Sequence, residues 1–203
     1  TFKRIYRIDV CYDFEFFDTG DRPEKFVQRY LAGKFAKVNQ CRCAAYGADN
    51  WASFDWETIS WGSRTSMVGT KIYCKTKEMQ AAKGDKPWIK WAWFVNGLVD
   101  EPVQLTKVNS QGVRYNPDIW RVEFSLKSAA DNWIVIEDQS GKRQRPKAIP
   151  HRLDLFDSRD KLWQRFEDLA FHYFRFKYYE KGVRKDRCKD KVLFYFNEGR
   201  EFL

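Results

Sequence analysis

Residues able to do chemistry fall on three alternating segments of the chain. Arg7, Asp9 and Asp13 share one parity, against Tyr6, Ile8, Val10, Tyr12 and Phe14 on the other. Lys71, Tyr73 and Lys75 share a parity in a second segment, and Arg121 and Glu123 in a third. In a strand, residues i and i+2 project from one face about 6.5–7 Å apart. If the three strands are neighbours, the sheet carries a carboxylate cluster beside a tyrosine and several cations. Carboxylate oxygens are the ligands that Mg and Mn prefer. Such an ion, with Lys or Arg, can clamp a phosphodiester and neutralise its developing charge. A tyrosine can then attack phosphorus. Its ordinary pKa of about 10 must fall for that, and Lys75 or a metal could lower it. The same pattern also describes a solvated face on which cross-strand Arg–Glu pairs form without a metal. Spacing alone leaves both readings open.

The elements that must position these residues follow from periodicity. Residues 4–14 alternate as a strand, and Pro23 opens a helix carrying Phe26, Val27, Tyr30 and Leu31, ending near Gly33. Residues 36–47 and 51–61 read as two strands joined near 47–50, and a turn at 61–66 leads into a strand at 67–75. The spacing predicts a helix from Thr76 to about Lys83. Asp85 can cap the next helix, with Pro87 in its first turn and Trp88, Trp91 and Val95 facing the core. Residues 99–117 read as a loop, and 118–127 as a strand with Trp120, Val122, Phe124 and Leu126 on one side. A short strand at 132–137 and a basic loop at 141–147 follow. Asp157 or Ser158 can cap the longest helix, 158–180, whose apolar stripe is Leu162, Phe166, Leu169, Ala170, Tyr173 and Phe174, with Gly182 as its stop. Residues 192–196 fit strand or helix. The fold class is α+β: a mainly antiparallel central sheet with helices packed on its apolar face.

Composition narrows the function. The 203 residues carry 37 Lys+Arg against 28 Asp+Glu, a net charge of +9, with nine tryptophans and 43% hydrophobic residues. Length and apolar content predict one domain over 1–203 with a real core, not a disordered chain. Its motif-bearing part spans about 4–137 and its helical C-terminal part about 157–203. The chain opens on Thr1, which fits a processed chain or a piece of a longer one. The longest apolar run, around Trp91–Val95, is too short for a bilayer, and the first residues do not form a secretory signal. Five cysteines without a CxxC pair argue against a disulfide framework or zinc ribbon and fit a reducing cytoplasm. His151 and His172 are the only histidines and lie far apart, so any metal must be held mainly by oxygen. The basic excess predicts an acidic partner, with nucleic acid ahead of an anionic membrane.

Four short segments, in order, resemble the Rep_trans family of replication initiation factors, the rolling-circle plasmid initiators and relaxases of mobile elements. Arg7-Ile-Asp9-Val-Cys-Tyr-Asp13 resembles the strand that opens the family's catalytic core. Trp61-Gly62-Ser63-Arg64-Thr-Ser66 resembles its glycine-serine-arginine-x-serine turn, and Tyr73-Cys-Lys75-Thr-Lys-Glu78 its tyrosine-x-lysine-x-x-glutamate segment. Trp120-Arg121-Val-Glu123-Phe124 resembles its arginine-x-glutamate strand. The version here looks closest to initiators from elements of Bacteroides-type bacteria, which implies a bacterial cytoplasm. The resemblance implies site-specific nicking of one DNA strand and a 5′-phosphotyrosyl intermediate. It implies Tyr73 as nucleophile, Asp9 and Glu123 as ligands of Mg or Mn with Asp13 as a third, and Arg64 and Lys75 as phosphate-holding groups. It also implies an origin hairpin or single strand as substrate, with a host helicase as a further partner. Glu78 can cap or pair within the following helix. Cys74 stands where the family has a polar residue.

Further cations are candidate DNA contacts: Arg7, Lys71 and Arg121 on the strands, and Lys142, Arg143, Arg145 and Lys147 in the basic loop. Residues 181–191 form another basic stretch. Trp51, Trp56, Trp61, Trp88, Trp91 and Trp93 can stack unpaired bases, although core packing is the commoner use of tryptophan. The 158–180 helix suits the core or a homodimer surface. Two rival readings remain: a non-catalytic DNA-binding module of a mobile element, and an interaction domain whose charge is incidental.

Overall fold

The computed structural model describes residues 7–17, 20–37, 42–50, 53–63, 65–82, 84–127, 136–137, 143–144, 156–178 and 190–191. Its centre is a five-stranded sheet built from β1 (Arg7–Phe14), β3 (Cys43–Asn50), β4 (Ser53–Trp61), β5 (Val68–Cys74) and β8 (Trp120–Lys127). The strand order is β1-β8-β5-β4-β3, with every neighbouring pair antiparallel. The chain is therefore α+β with an antiparallel central sheet.

Alternation sorts the two faces as the sequence predicts. Val10 and Phe14, Ile59 and Trp61, Val68 and Ile72, and Val122 and Phe124 are buried on one face. α1 (Pro23–Leu31) covers this face with Phe26 and Val27, and α4 (Arg159–Tyr173) with Phe166 and Leu169. Pro23 starts α1, where its fixed φ fits and its missing N–H costs nothing. Ser158 caps α4, its hydroxyl accepting from the Lys161 N–H.

A second small sheet joins β2 (Phe35–Lys37), β11 (Phe176–Tyr178) and β12 (Asp190–Lys191) in the order β12-β11-β2. It corrects two expectations. Residues 36–47 are not one strand: β2 pairs with β11, and β3 pairs with β4 and runs on to Asn50. The last helix stops at Tyr173, well before 180. Phe174 and Phe176 are both buried with Arg175 between them. That period of two requires extended chain and seats Phe176 against Phe26, Tyr30, Trp61 and Phe174. Gly182 and residues 192–196 lie outside the described residues.

α2 (Lys75–Ala81) and α3 (Pro87–Val95) follow β5, and residues 99–117 contain the short hairpin of β6 (Lys107–Val108) and β7 (Arg114–Tyr115). β9 (Ile136–Glu137) pairs with β10 (Arg143–Gln144). α3 departs furthest from expectation. Its N-cap is Lys86, not Asp85, and only Trp93 of its side chains is buried. Trp88, Trp91 and Val95, expected in the core, are exposed. Trp93 instead joins a second cluster with Val99 and Ile119, against which Met79, Ile89, Leu98 and Leu105 pack. Among the described residues, no helix is long and apolar enough to cross a membrane.

Candidate active site on the polar face of the sheet

Strand order makes neighbours of the three segments that carry the chemistry. Cys11, Glu123 and Lys71 lie in one cross-strand row, with Ser60 beyond them. Asp13, Arg121 and Tyr73 lie in the next, with Thr58 beyond. Asp9 stands opposite Ser125, and Arg7 opposite Lys127. All project from the face opposite Val10, Ile72 and Val122. Asp9, Asp13, Glu123, Tyr73, Lys71, Arg7 and Arg121 thus share one polar surface.

Tyr73 donates its hydroxyl to Glu123 Oε2 at 3.0 Å. The other Glu123 oxygen lies 3.4 Å from the Arg7 guanidinium and 3.8 Å from Lys71 Nζ. Arg7 also binds Asp9 at 2.6 Å and donates to Ser125 Oγ at 3.0 Å. The Asp9 and Glu123 carboxylates are therefore joined through one guanidinium, whose side chain is half exposed. Asp13 is more enclosed. Arg121 grips both of its oxygens, at 2.6 and 2.7 Å, and the Trp93 indole donates to Oδ2 at 2.7 Å.

Lys75 opens α2, where its backbone N–H donates to the Ile119 carbonyl. Its side chain is buried, with Nζ 5.6 Å from the Tyr73 ring centre and 2.5 Å from Glu78. Glu78 also receives Lys86 at 2.9 Å, so it is an ion-pairing residue that ties α2 to the start of α3. Cys74 points to the opposite, apolar face, where burial pushes its thiol up to about 12. The missing polar residue at this position therefore takes nothing from the polar surface.

Protonation follows from these contacts. Burial, then the Glu123 charge, pushes the Tyr73 phenol well above its ordinary value. The expected lowering by Lys75 is therefore overruled, because a carboxylate acceptor at hydrogen-bond distance favours the neutral phenol. Burial pulls Lys75 below the usual lysine range, although Glu78 opposes this. Arg121 loses by burial but gains more from Asp13, and is held above its ordinary value. Its charge is the main one working to lower Tyr73.

Among the described residues, no group of three or more His, Cys, Asp or Glu is arranged to hold a metal ion. The donor types at Asp9 and Glu123 nevertheless fit Mg or Mn, which proteins commonly hold by one or two carboxylates with substrate phosphate and water completing the shell. Asp13 has both oxygens engaged by Arg121 and Trp93, which makes it the anchor of Arg121 in this state.

Several expected site residues are not among those brought together on this surface by the described residues. Arg64, Lys142, Arg145 and Lys147 lie outside the described residues, as do Trp51 and His151. Arg143 is placed on β10 by its backbone. His172 lies in the last turn of α4 against Phe171 and Tyr173. Sequence reasoning missed Trp93 and Ser125 as members of this surface. Ser125 was legible in principle, because it shares parity with Glu123. Trp93 was not, since its helix carries large apolar side chains on several sides, with Lys90 its one charged residue. No family model matches the chain, and no curated protein matches it.

Proposed function

We propose that this chain nicks single-stranded DNA with Tyr73 as the nucleophile, as an initiator of rolling-circle replication or mobilisation. The observation that carries this reading is the Tyr73 hydroxyl donating to Glu123 inside a surface lined by Arg7, Lys71 and Arg121. A tyrosine, a proton acceptor and phosphate-binding cations then stand within one patch. Four ordered segments resembling the Rep_trans initiators support the same chemistry.

In this mechanism Arg7 and Lys71 draw a backbone phosphate onto the sheet. Tyr73 oxygen forms a bond to phosphorus while the bond from phosphorus to the 3′ oxygen breaks. Glu123 receives the phenol proton, and the departing 3′ oxygen takes a proton from solvent water to become the free 3′-OH. Arg121, held by Asp13, stabilises the tyrosine oxygen as it loses its proton. Lys75 packs against the Tyr73 ring and limits its movement. A Mg or Mn ion held by Asp9 and Glu123, when bound, would supply charge that stabilises the transition state and lowers Tyr73. Burial and the Glu123 charge hold the resting Tyr73 phenol above its ordinary value, so attack requires that substrate or a cation first lower it.

The test is covalent capture. With Mn and a pool of single-stranded oligonucleotides tiling the element that encodes the chain, native protein gives an adduct that survives detergent. Tyr73→Phe gives none. An adduct formed equally well by Tyr73→Phe rules out this nucleophile. Tight binding without any adduct from native protein supports the rival reading, a DNA-binding module. That rival is favoured by the engagement of Asp13 and by the lack, among the described residues, of a three-ligand metal group.

A further inference from the structure

We propose that the outward face of α3 is a stacking platform for unpaired bases of the strand whose phosphate lies at Tyr73. The proposal rests on the reading of the polar face as a DNA site. It starts from an anomaly of burial. Trp88 is 67% exposed and Trp91 60%, with Phe94 and Val95 also open to solvent. Tryptophan is seldom left so open, and a contiguous apolar patch of this kind marks an interaction surface. Trp88, Trp91 and Val95 stand at i, i+3 and i+7 and so share one side of the helix, with Phe94 beside Trp91. The Trp91 and Phe94 ring centres are 5.4 Å apart. From Trp88 to Phe94 the helix rises about 9 Å, room for roughly two or three successive bases at about 3.4 Å each.

The occupant is indicated by position and charge. α3 is tied to the polar face at both ends. Near its C-terminal end, Trp93 donates to Asp13, which grips Arg121, the cross-strand neighbour of Tyr73. At its start, Lys86 binds Glu78, which binds Lys75 beside the Tyr73 ring. These contacts fix α3 beside the polar face that carries Tyr73. By sequence, residues 75–95 carry five lysines against two acids, which leaves a positive excess even with Lys75 and Lys86 sharing Glu78, Lys90 on Asp85 and Lys77 on Glu57. That favours a polyanion and disfavours pairing with a second copy, which would bring like charges together. Aromatic faces accept any base, so a platform here holds the strand without selecting its sequence.

The test compares native chain with the double variant Trp88→Ala, Trp91→Ala. Binding is read by fluorescence anisotropy on labelled oligothymidylate and on an abasic strand of equal length, with chelator present. Native chain is expected to bind the base-containing strand at least tenfold more tightly. The double variant should lose about tenfold or more on oligothymidylate and little on the abasic strand, with an unchanged salt slope. Unchanged circular dichroism and melting midpoint show that it folds, and Trp88→Phe, Trp91→Phe should restore most of the binding. Equal affinity of native chain for both strands, equal losses on both, or no binding at low salt would overturn the proposal. So would a variant that changes only self-association or binding to anionic vesicles. A chain that stacks bases but forms no covalent adduct keeps this inference and sinks the nicking one. An adduct-forming chain whose variant binds normally does the reverse.

Discussion

Replacing Asp13 with asparagine isolates a nearly buried ion pair on the polar face of the sheet. The two partners are nearly buried, with Asp13 14% and Arg121 13% exposed in their side chains. Three donors converge on one carboxylate: Arg121 Nε at 2.6 Å, Arg121 Nη2 at 2.7 Å and the Trp93 indole at 2.7 Å. Asparagine keeps the volume but removes the charge and turns one acceptor into a donor. Its amide then faces Arg121 Nη2 and the Trp93 N–H, or else faces Arg121 Nε. Breaking a buried pair by removing one partner costs about 3–5 kcal/mol, because the other charge stays buried and uncompensated. That is a large share of the roughly 5–15 kcal/mol that holds a domain together. With a urea slope of about 2 kcal/mol per molar, the midpoint should fall by about 1.5–2.5 M at unchanged slope. A companion variant, Asp13→Leu with Arg121→Met, replaces both charges by apolar groups. It should recover most of the loss, since burial of the pair itself is close to break-even. A midpoint drop below about 0.5 M for the asparagine variant would refute the reasoning. A double variant as unstable as the single would show that the cost does not come from the orphaned arginine.

Other expectations follow from single contacts. Tyr73 holds its proton more tightly folded than unfolded, so its contribution is intact below about pH 10 and is lost as pH rises from there towards its folded value. Chemical denaturation of native and Tyr73→Phe chains from neutral to alkaline pH should show native stability falling more steeply above that point, and parallel curves would contradict this. Gly62 has φ of +103°, and an added Cβ would sit 3.3 Å from the Val68 carbonyl oxygen and from Ser66 Oγ. Gly62→Ala should therefore cost about 1–3 kcal/mol in a melt, and no change would mean the turn is free to adjust. Phe176→Ala removes a fully buried ring that touches Phe26, Tyr30, Trp61 and Phe174. A loss of about 3–5 kcal/mol is expected, and one below about 1 kcal/mol would mean the small sheet is not part of the core.

Faces were legible in the sequence; neighbours were not. The alternation in β1, β5 and β8 is local, so Val10, Ile72 and Val122 announced one face and Asp9, Tyr73 and Glu123 the other. The start of α1 at Pro23 and the Ser158 cap of α4 were legible for the same reason, since caps act within a few residues. α3 could not be read: a helix with Lys90 as its one charged residue and large apolar side chains on several sides names no single buried side, and one hydrogen bond from Trp93 to Asp13 accompanies the turn of that side inward. Strand order was equally hidden. Nothing in residues 7–14 states that β8, more than a hundred positions away, lies beside β1, because pairing depends on what the whole core buries. That choice set Arg7 on both Asp9 and Glu123, locked Asp13 under Arg121, and put Glu123 against the Tyr73 hydroxyl. Residue types and their periodicity thus determined which groups share a face. Only the tertiary structure decided which of them meet, and hence that the Tyr73 phenol is pushed above its ordinary value, since charge interactions depend on distance and burial, which sequence spacing does not contain.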